Sequence, residues 1–235
     1  MLFVSSLLML AALGATDPDI RPSGQRLAVT AVIGLLAPLF WPGSAATSAR
    51  TAVRIAGWSV AAACLAAIVL QILGNPAQPF LSILVSCMML LLILLLTHAL
   101  AAGLEGRLRG SSGDAKAARE VAGRTVAVAL AFLGSLPLWL GPVAELLSTR
   151  LAGIIDSVIG ISPLTHLAVA SDNDLLRNQW FYQQANLAAL QFSYPGLAEV
   201  ALAYASVLLM LALIALVFRR QRRVIADAGS PCPPH

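Results

Sequence analysis

Long apolar runs separated by short polar punctuation dominate this chain. The runs are "MLFVSSLLMLAALGA" (1–15), "LAVTAVIGLLAPLFW" (27–41), "IAGWSVAAACLAAIVLQIL" (55–73), "FLSILVSCMMLLLILLLTHALAAGL" (80–104), "TVAVALAFLGSLPLWLGPVAELL" (125–147) and "LAEVALAYASVLLMLALIALVF" (197–218). Uncharged stretches of about 20 residues are the signature of helices that cross a bilayer. The expected fold class is all-α: a polytopic integral membrane protein of about six transmembrane helices, forming one helical domain over 1–218. A tail at 219–235 follows, basic and then Pro-rich, with "ADAGSPCPPH" expected to be disordered. Residues 1–15 read as a true span. The alternatives are a secretory segment ending in "ALGA", with no basic residue ahead of it, and a start internal to a longer chain.

Between the last two runs lies "LAGIIDSVIGISPLTHLAVA" (151–170), apolar but interrupted by Asp156, Pro163 and His166. Pro163 restricts Ser162 to an extended conformation and divides the stretch into two short helices. Neither half can cross about 30 Å of hydrocarbon, so a helix–break–helix dipping into the outer leaflet is the consistent form. The polar stretch "SDNDLLRNQWFYQQANLAAL" comes next. Ser171 with Asp174 three positions on is a variant of the capping box, predicting a helix from about 172 to 190. Trp180, Phe181, Tyr182 and Tyr194 suit a membrane–water interface, with Arg177 beside them. Segment 151–195 as a whole is expected to be re-entrant and interfacial.

Composition reinforces the membrane reading. Of 235 residues 59% are hydrophobic and 11% charged, with mean hydropathy +0.84. A soluble domain carries about 25% charged residues, so too little polar surface exists to cover a water-soluble globule. The net charge of +4 comes from 14 Arg and one Lys set in short clusters, a pattern of membrane orientation rather than nucleic-acid binding. With the C-terminal "RRQRR" inside, segments 42–54, 105–124 and 219–235 hold eleven basic residues, and the outside segments hold four. Both termini are therefore expected in the cytoplasm, with the chain multi-pass in a bacterial-type inner membrane. The largest inside connection, "EGRLRGSSGDAKAAREVAGR" (105–124), reads as a solvated connector; Arg107, Arg109 and Arg119 are its candidate contacts to a cytoplasmic partner.

Chemistry-bearing residues are few. Cys64, Cys87 and Cys232 show no ligand spacing, so neither a zinc site nor a disulfide framework is expected. His98 and His166 fall on opposite sides of the predicted membrane, which argues against a haem held between them; a neutral His98 hydrogen-bonded to a carbonyl is the expectation. Asp156, flanked by Ile, must face headgroups or a wet cavity. Pro137 and Pro142 in "GSLPLWLGP" free backbone carbonyls and bend the fifth span. Asp156, Pro137, Pro142 and Pro163 are thus candidate gate or cavity residues, and Trp180, Phe181, Tyr182 and Arg177 candidate interface anchors. No nucleophile–base pair, metal cluster or phosphate loop accompanies them, so no catalysis and no cofactor is expected.

Six spans, both termini inside, and a broken pair of short outer helices before the last span resemble the type-2 ATP-binding-cassette permeases. "SPLTHLAVASDNDLLR" (162–177) is similar to the "(N/S)-P-L-T" segment and following Arg-containing helix of that family. The resemblance covers about 95 residues, from the fifth span to the end. It implies a permease subunit without its own nucleotide site, served by a separate ATPase, and the chain indeed has no GxxxxGK[ST] motif. The chain begins in a span where the family has a cytoplasmic amphipathic helix, so segment 105–124 or a lost N-terminus would make the ATPase contact. Two other readings stand beside it. One is a structural subunit of a larger membrane complex docking through 151–195, and a homo-oligomer is a separate candidate assembly. The other is a membrane enzyme using Asp156, His166 and Asp172.

Overall fold

A computed structural model describes residues 22–36, 49–74, 80–112, 114–148, 152–174 and 194–228. Helices make up 93% of these residues and no strand occurs among them. The described part is all-helical, as the long apolar runs require.

Helix α1 (Pro22–Ala31) continues into a π-helical stretch, Val32–Leu36. Helix α2 (Ala49–Gly74), α3 (Phe80–Ser112) and α4 (Ala115–Ser148) follow. Two short helices, α5 (Ala152–Ile161) and α6 (Pro163–Ala170), precede the last one, α7 (Leu197–Ala228). Four of these are long and apolar enough to cross a membrane, over Arg50–Val69, Leu81–Gly110, Ala115–Pro137 and Leu197–Val217. The expected span 1–15 lies outside the described residues, and of 27–41 only the part to Leu36 is described.

The bundle is organised around α3, which packs against α1, α2, α4, α6 and α7. Its Leu90 and Ile93 are fully buried, within a core that takes in Val29, Ile33, Leu167 and Ala168. Without a hydrophobic driving force between helices in lipid, close approach is secured by small residues. A side chain at Gly34 would stand 2.9 Å from Leu90 Cδ1, and one at Gly134 2.8 Å from Leu35 Cδ1. Those two glycines let the π-helical stretch nest against α3 and α4.

The structure corrects three expectations. The connection 105–124 is helix nearly throughout: α3 runs to Ser112, and α4 begins at Ala115. Asp114 supplies the N-cap, its Oδ1 accepting from the backbone N–H of Lys116 (2.8 Å) and Ala117 (3.3 Å). Gly106 and Gly110 lie within α3 without ending it, and Arg119 of α4 pairs with Glu105 of α3 at 3.2 Å. Second, Cys64 of α2 and Cys87 of α3 form a disulfide, with Cα atoms 6.3 Å apart. They lie on neighbouring helices joined by a short connection, and a ligand-spacing rule is blind to that proximity. Third, helix α7 carries the basic run "RRQRR" and continues to Ala228, into the stretch expected to be a disordered tail.

Candidate functional site

The break between α5 and α6 falls at Ser162, whose backbone is extended (φ −72°, ψ 120°), immediately before Pro163 at the start of α6. Proline at the first helical position sacrifices no hydrogen bond, because that N–H has no partner within the helix anyway. The elbow so formed is unusually polar inside: Ser162, Thr165, His166 and Ser171 are all buried, and so is Ser86 of α3 facing it. In an apolar bundle each such group needs a partner.

The partners fall into two kinds. Several hydroxyls bond back to their own helix: Thr97 to the Ile93 carbonyl at 2.7 Å, Thr30 to Leu27 at 3.1 Å, and Ser59 to Ile55 at 3.0 Å. This local back-bonding satisfies a hydroxyl without joining helices. The elbow's groups also reach across. Ser86 Oγ stands 2.8 Å from both the Ser82 carbonyl of its own helix and the Ala170 carbonyl of α6, its one proton shared between them, and lies 3.3 Å from Ser171 Oγ. Ser162 Oγ donates to the Gly134 carbonyl of α4 at 3.2 Å. Thr165 Oγ1 turns back to the carbonyls of Ile159 and, at 2.7 Å, Ser162, closing the elbow on itself.

His166 makes the third crossing. Its Nε2 lies 2.9 Å from the Gly160 carbonyl of α5, and its Nδ1 lies 3.0 Å from Tyr204 Oη of α7. A carbonyl can only accept, so Nε2 carries the proton; Nδ1 of the neutral ring then accepts from the Tyr204 hydroxyl. The two rings meet edge to face, centroids 5.5 Å apart. Burial holds the His166 pKa below the ordinary histidine value, and the Gly160 carbonyl offsets this only in part. The imidazole is therefore a neutral structural bridge that joins α5, α6 and α7.

At its far end α6 finishes in a left-handed cap. Asp172 takes φ 55°, its N–H bonds the Val169 carbonyl (3.1 Å), and the Asn173 N–H bonds Ala168 (2.9 Å). Ser171 is thus the C-cap of α6, not the N-cap of a following helix, and Asn173 and Asp174 are non-helical. The capping-box pattern fails because the Ser171 N–H and hydroxyl are engaged by α6 and Ser86. Tyr194 Oη then bonds Asp174 Oδ1 at 2.7 Å, so the end of the elbow and the approach to α7 are tied together.

Of the sequence-derived gate residues, Pro137 and Pro163 are buried. The α4 turn carrying Pro137 meets the break carrying Pro163 through the Ser162–Gly134 bond. Pro137 cannot donate to the Leu133 carbonyl, and an acceptor in that loosened turn takes a hydroxyl from the elbow. Pro142 lies in α4, and Asp156 is exposed on α5 rather than turned into the bundle. His166 has both ring nitrogens engaged by Gly160 and Tyr204, which leaves neither for Asp156 or Asp172, both exposed. Arg177, Trp180, Phe181 and Tyr182 lie outside the described residues. Arg107 and Arg109 are exposed near the C-terminal end of α3, and Arg119 is paired with Glu105.

Sequence reasoning missed Ser86, Gly134 and Tyr204. Each carries a faint signal. Ser86 is a hydroxyl in the most apolar run, and Tyr204 sits seven residues inside its span, about 10 Å from the end, too deep for an interface anchor. Among the described residues no group of three or more His, Cys, Asp or Glu is placed to hold a metal. Comparison with family models, with curated proteins and with solved structures yields no match for this chain.

Proposed function

We propose that this chain is the membrane-embedded permease subunit of a transporter driven by a separate ATPase, with no nucleotide site of its own. The observation that carries the reading is the elbow. A broken helical element before the last span is held to α3, α4 and α7 through a few side-chain hydrogen bonds. Hydrogen bonds between membrane helices average about 0.6 kcal/mol, so such a set is strong enough to hold one arrangement and weak enough to exchange. The elbow meets α4 at its Pro137 turn, so a shift of either displaces the other. Asp156, Pro137, Pro142 and Pro163 are the gate residues in this reading.

The test is purification in mild detergent followed by identification of partners. A stoichiometric P-loop ATPase is expected, and ATP-dependent flux in proteoliposomes should fall when Ser162 is replaced by Ala. Isolation of the chain alone, or only with subunits lacking a nucleotide site, would sink the proposal. One observation favours the second reading, a structural subunit of a larger membrane complex. Only 11% of the last span is buried, which leaves an apolar face for another membrane subunit. Protection of that face from lipid-phase labelling in the native membrane would support it.

A further inference from the structure

The α3–α4 hairpin carries several basic side chains that no carboxylate neutralises among the described residues. Its three carboxylates are all engaged: Glu105 by Arg119, Glu120 by Arg124, and Asp114 by the first N–H groups of α4. Arg107, Arg109 and Lys116 are exposed and make no ion pair among the described residues. Glu105 lies one turn from Arg109, and Glu120 one turn from Lys116, yet both are committed to other arginines. Positions 103 and 110 flank Arg107 on its own helix face, and both are glycines beside which an added side chain would meet nothing. The Arg107 guanidinium is therefore open to a ligand approaching from outside.

Depth decides what that ligand is. At 1.5 Å per residue, Arg107 and Arg109 stand about 40–44 Å along α3 from Phe80. A bilayer with its headgroups is about 40–45 Å thick, so a helix that starts at one face delivers these residues to the headgroup band of the other. On neighbouring α2, the exposed Arg54 and Arg50 lie about 30–36 Å from Gly74, at the same end of the bundle. We infer that Arg107 and Arg109, on different faces of α3, and Lys116 of α4, with Arg50 and Arg54 at the same end of the bundle, form a band of contacts for the headgroup phosphates of anionic phospholipids. A protein partner would need this surface to project beyond the headgroups, and only the hairpin tip around Asp114 does so. The inference needs the membrane insertion of α3 and α4 but not the permease reading, so either can fail without the other.

The test uses the purified full chain in detergent, titrated with dioleoyl phosphatidylglycerol or dioleoyl phosphatidylcholine. Bound lipid is read by native mass spectrometry, and the midpoint of thermal unfolding is followed in parallel. Phosphatidylglycerol should bind at least about fivefold more tightly than phosphatidylcholine and raise the midpoint. The triple substitution Arg107→Gln, Arg109→Gln, Lys116→Gln should weaken phosphatidylglycerol binding about tenfold and abolish the rise. Arg124→Gln, which removes an already paired charge, should stay within about twofold of the unsubstituted chain. Unchanged circular dichroism and an unchanged midpoint in phosphatidylcholine establish that the triple variant is folded. Equal binding of the two lipids, or an undiminished preference in the triple variant, overturns the site. Equal protection by inorganic phosphate would make it a free-anion site, and protection by polyglutamate but not phosphatidylglycerol a docking surface for an acidic protein; either result also overturns it.

Discussion

Helices α3 and α7 are almost equally apolar, with mean hydropathy of 2.6 and 2.7 over their spans. Yet 44% of the α3 window is buried inside the protein and only 11% of the α7 window. Hydropathy measures the tendency to leave water for lipid, and both helices satisfy it. Burial against other helices is a separate matter, because lipid tails are as apolar as leucine and offer no penalty for staying outside. What separates the two is polar and small-residue chemistry. Helix α3 presents Ser86 to the elbow, receives the close approach of Gly34 at Leu90, and is joined to α2 through Cys87. Helix α7 makes one polar crossing of the bundle among the described residues, from Tyr204 to His166, while Leu202, Leu209, Met210 and Leu213 face outward.

The largest test of this contrast deletes the same volume from each helix. Leu90→Ala empties a fully buried position and is expected to cost about 2–5 kcal/mol. Leu209→Ala removes a side chain that is 62% exposed, and its cost should stay under about 1 kcal/mol. Thermal or denaturant unfolding in one detergent compares them directly; similar losses would mean that α7 is covered after all. Next, Cys87→Ser should remove about 3 kcal/mol by opening the α2–α3 link, with a mobility change on non-reducing gels.

A smaller effect isolates the α7 anchor. Tyr204→Phe deletes the donor to His166 Nδ1 at nearly constant shape and should cost about 1 kcal/mol. Ser206→Ala, two residues on, exposed and bonded to its own helix at Ala203, should be close to neutral. If the two substitutions behave alike, the Tyr204–His166 bond does not hold α7 to the elbow.

The smallest effect is a pH dependence. The folded-state pKa of His166 lies below the unfolded value of about 6.5. The unfolded chain therefore binds the proton more readily. The neutral bridge contributes fully above pH of about 6.5, and its contribution is lost as pH falls through the folded value. Unfolding midpoints measured downward from neutrality should decline in a His98→Gln background, which leaves one histidine at membrane level. Adding His166→Gln should flatten the decline, and an unchanged slope would place the titrating group elsewhere.

Much of the outline was legible before any coordinates. The break at Pro163 could be placed because proline removes a donor and constrains its predecessor, both local covalent facts. The extent of α3 and α4 beyond the apolar runs was not legible. The mixed Gly, Ser and charged residues of 105–124 read as a solvated connector, while the pair that links its two helices, Glu105 to Arg119, lies across the hairpin. Ser171 misled for a related reason. Its spacing to Asp174 fits a helix start, but the carbonyls of α6 and Ser86 reached it first. The polar elbow was half visible, since Pro163 and His166 stood out in an apolar run, whereas Thr165, Ser86, Gly134 and Tyr204 are ordinary residues until another helix lies against them.

The amino-acid sequence by itself determined that the chain is helical and apolar enough to enter a membrane, and where its short elbow must bend. Those properties follow from hydrophobic run length and from proline's missing N–H, which act within a few residues of chain. Only the tertiary structure decided which apolar helix became the hub, which hydroxyls cross between helices, and which arginines pair with a carboxylate among the described residues. The crossing bonds join residues 20 to 84 positions apart, and no local pattern records which buried polar group will find which partner.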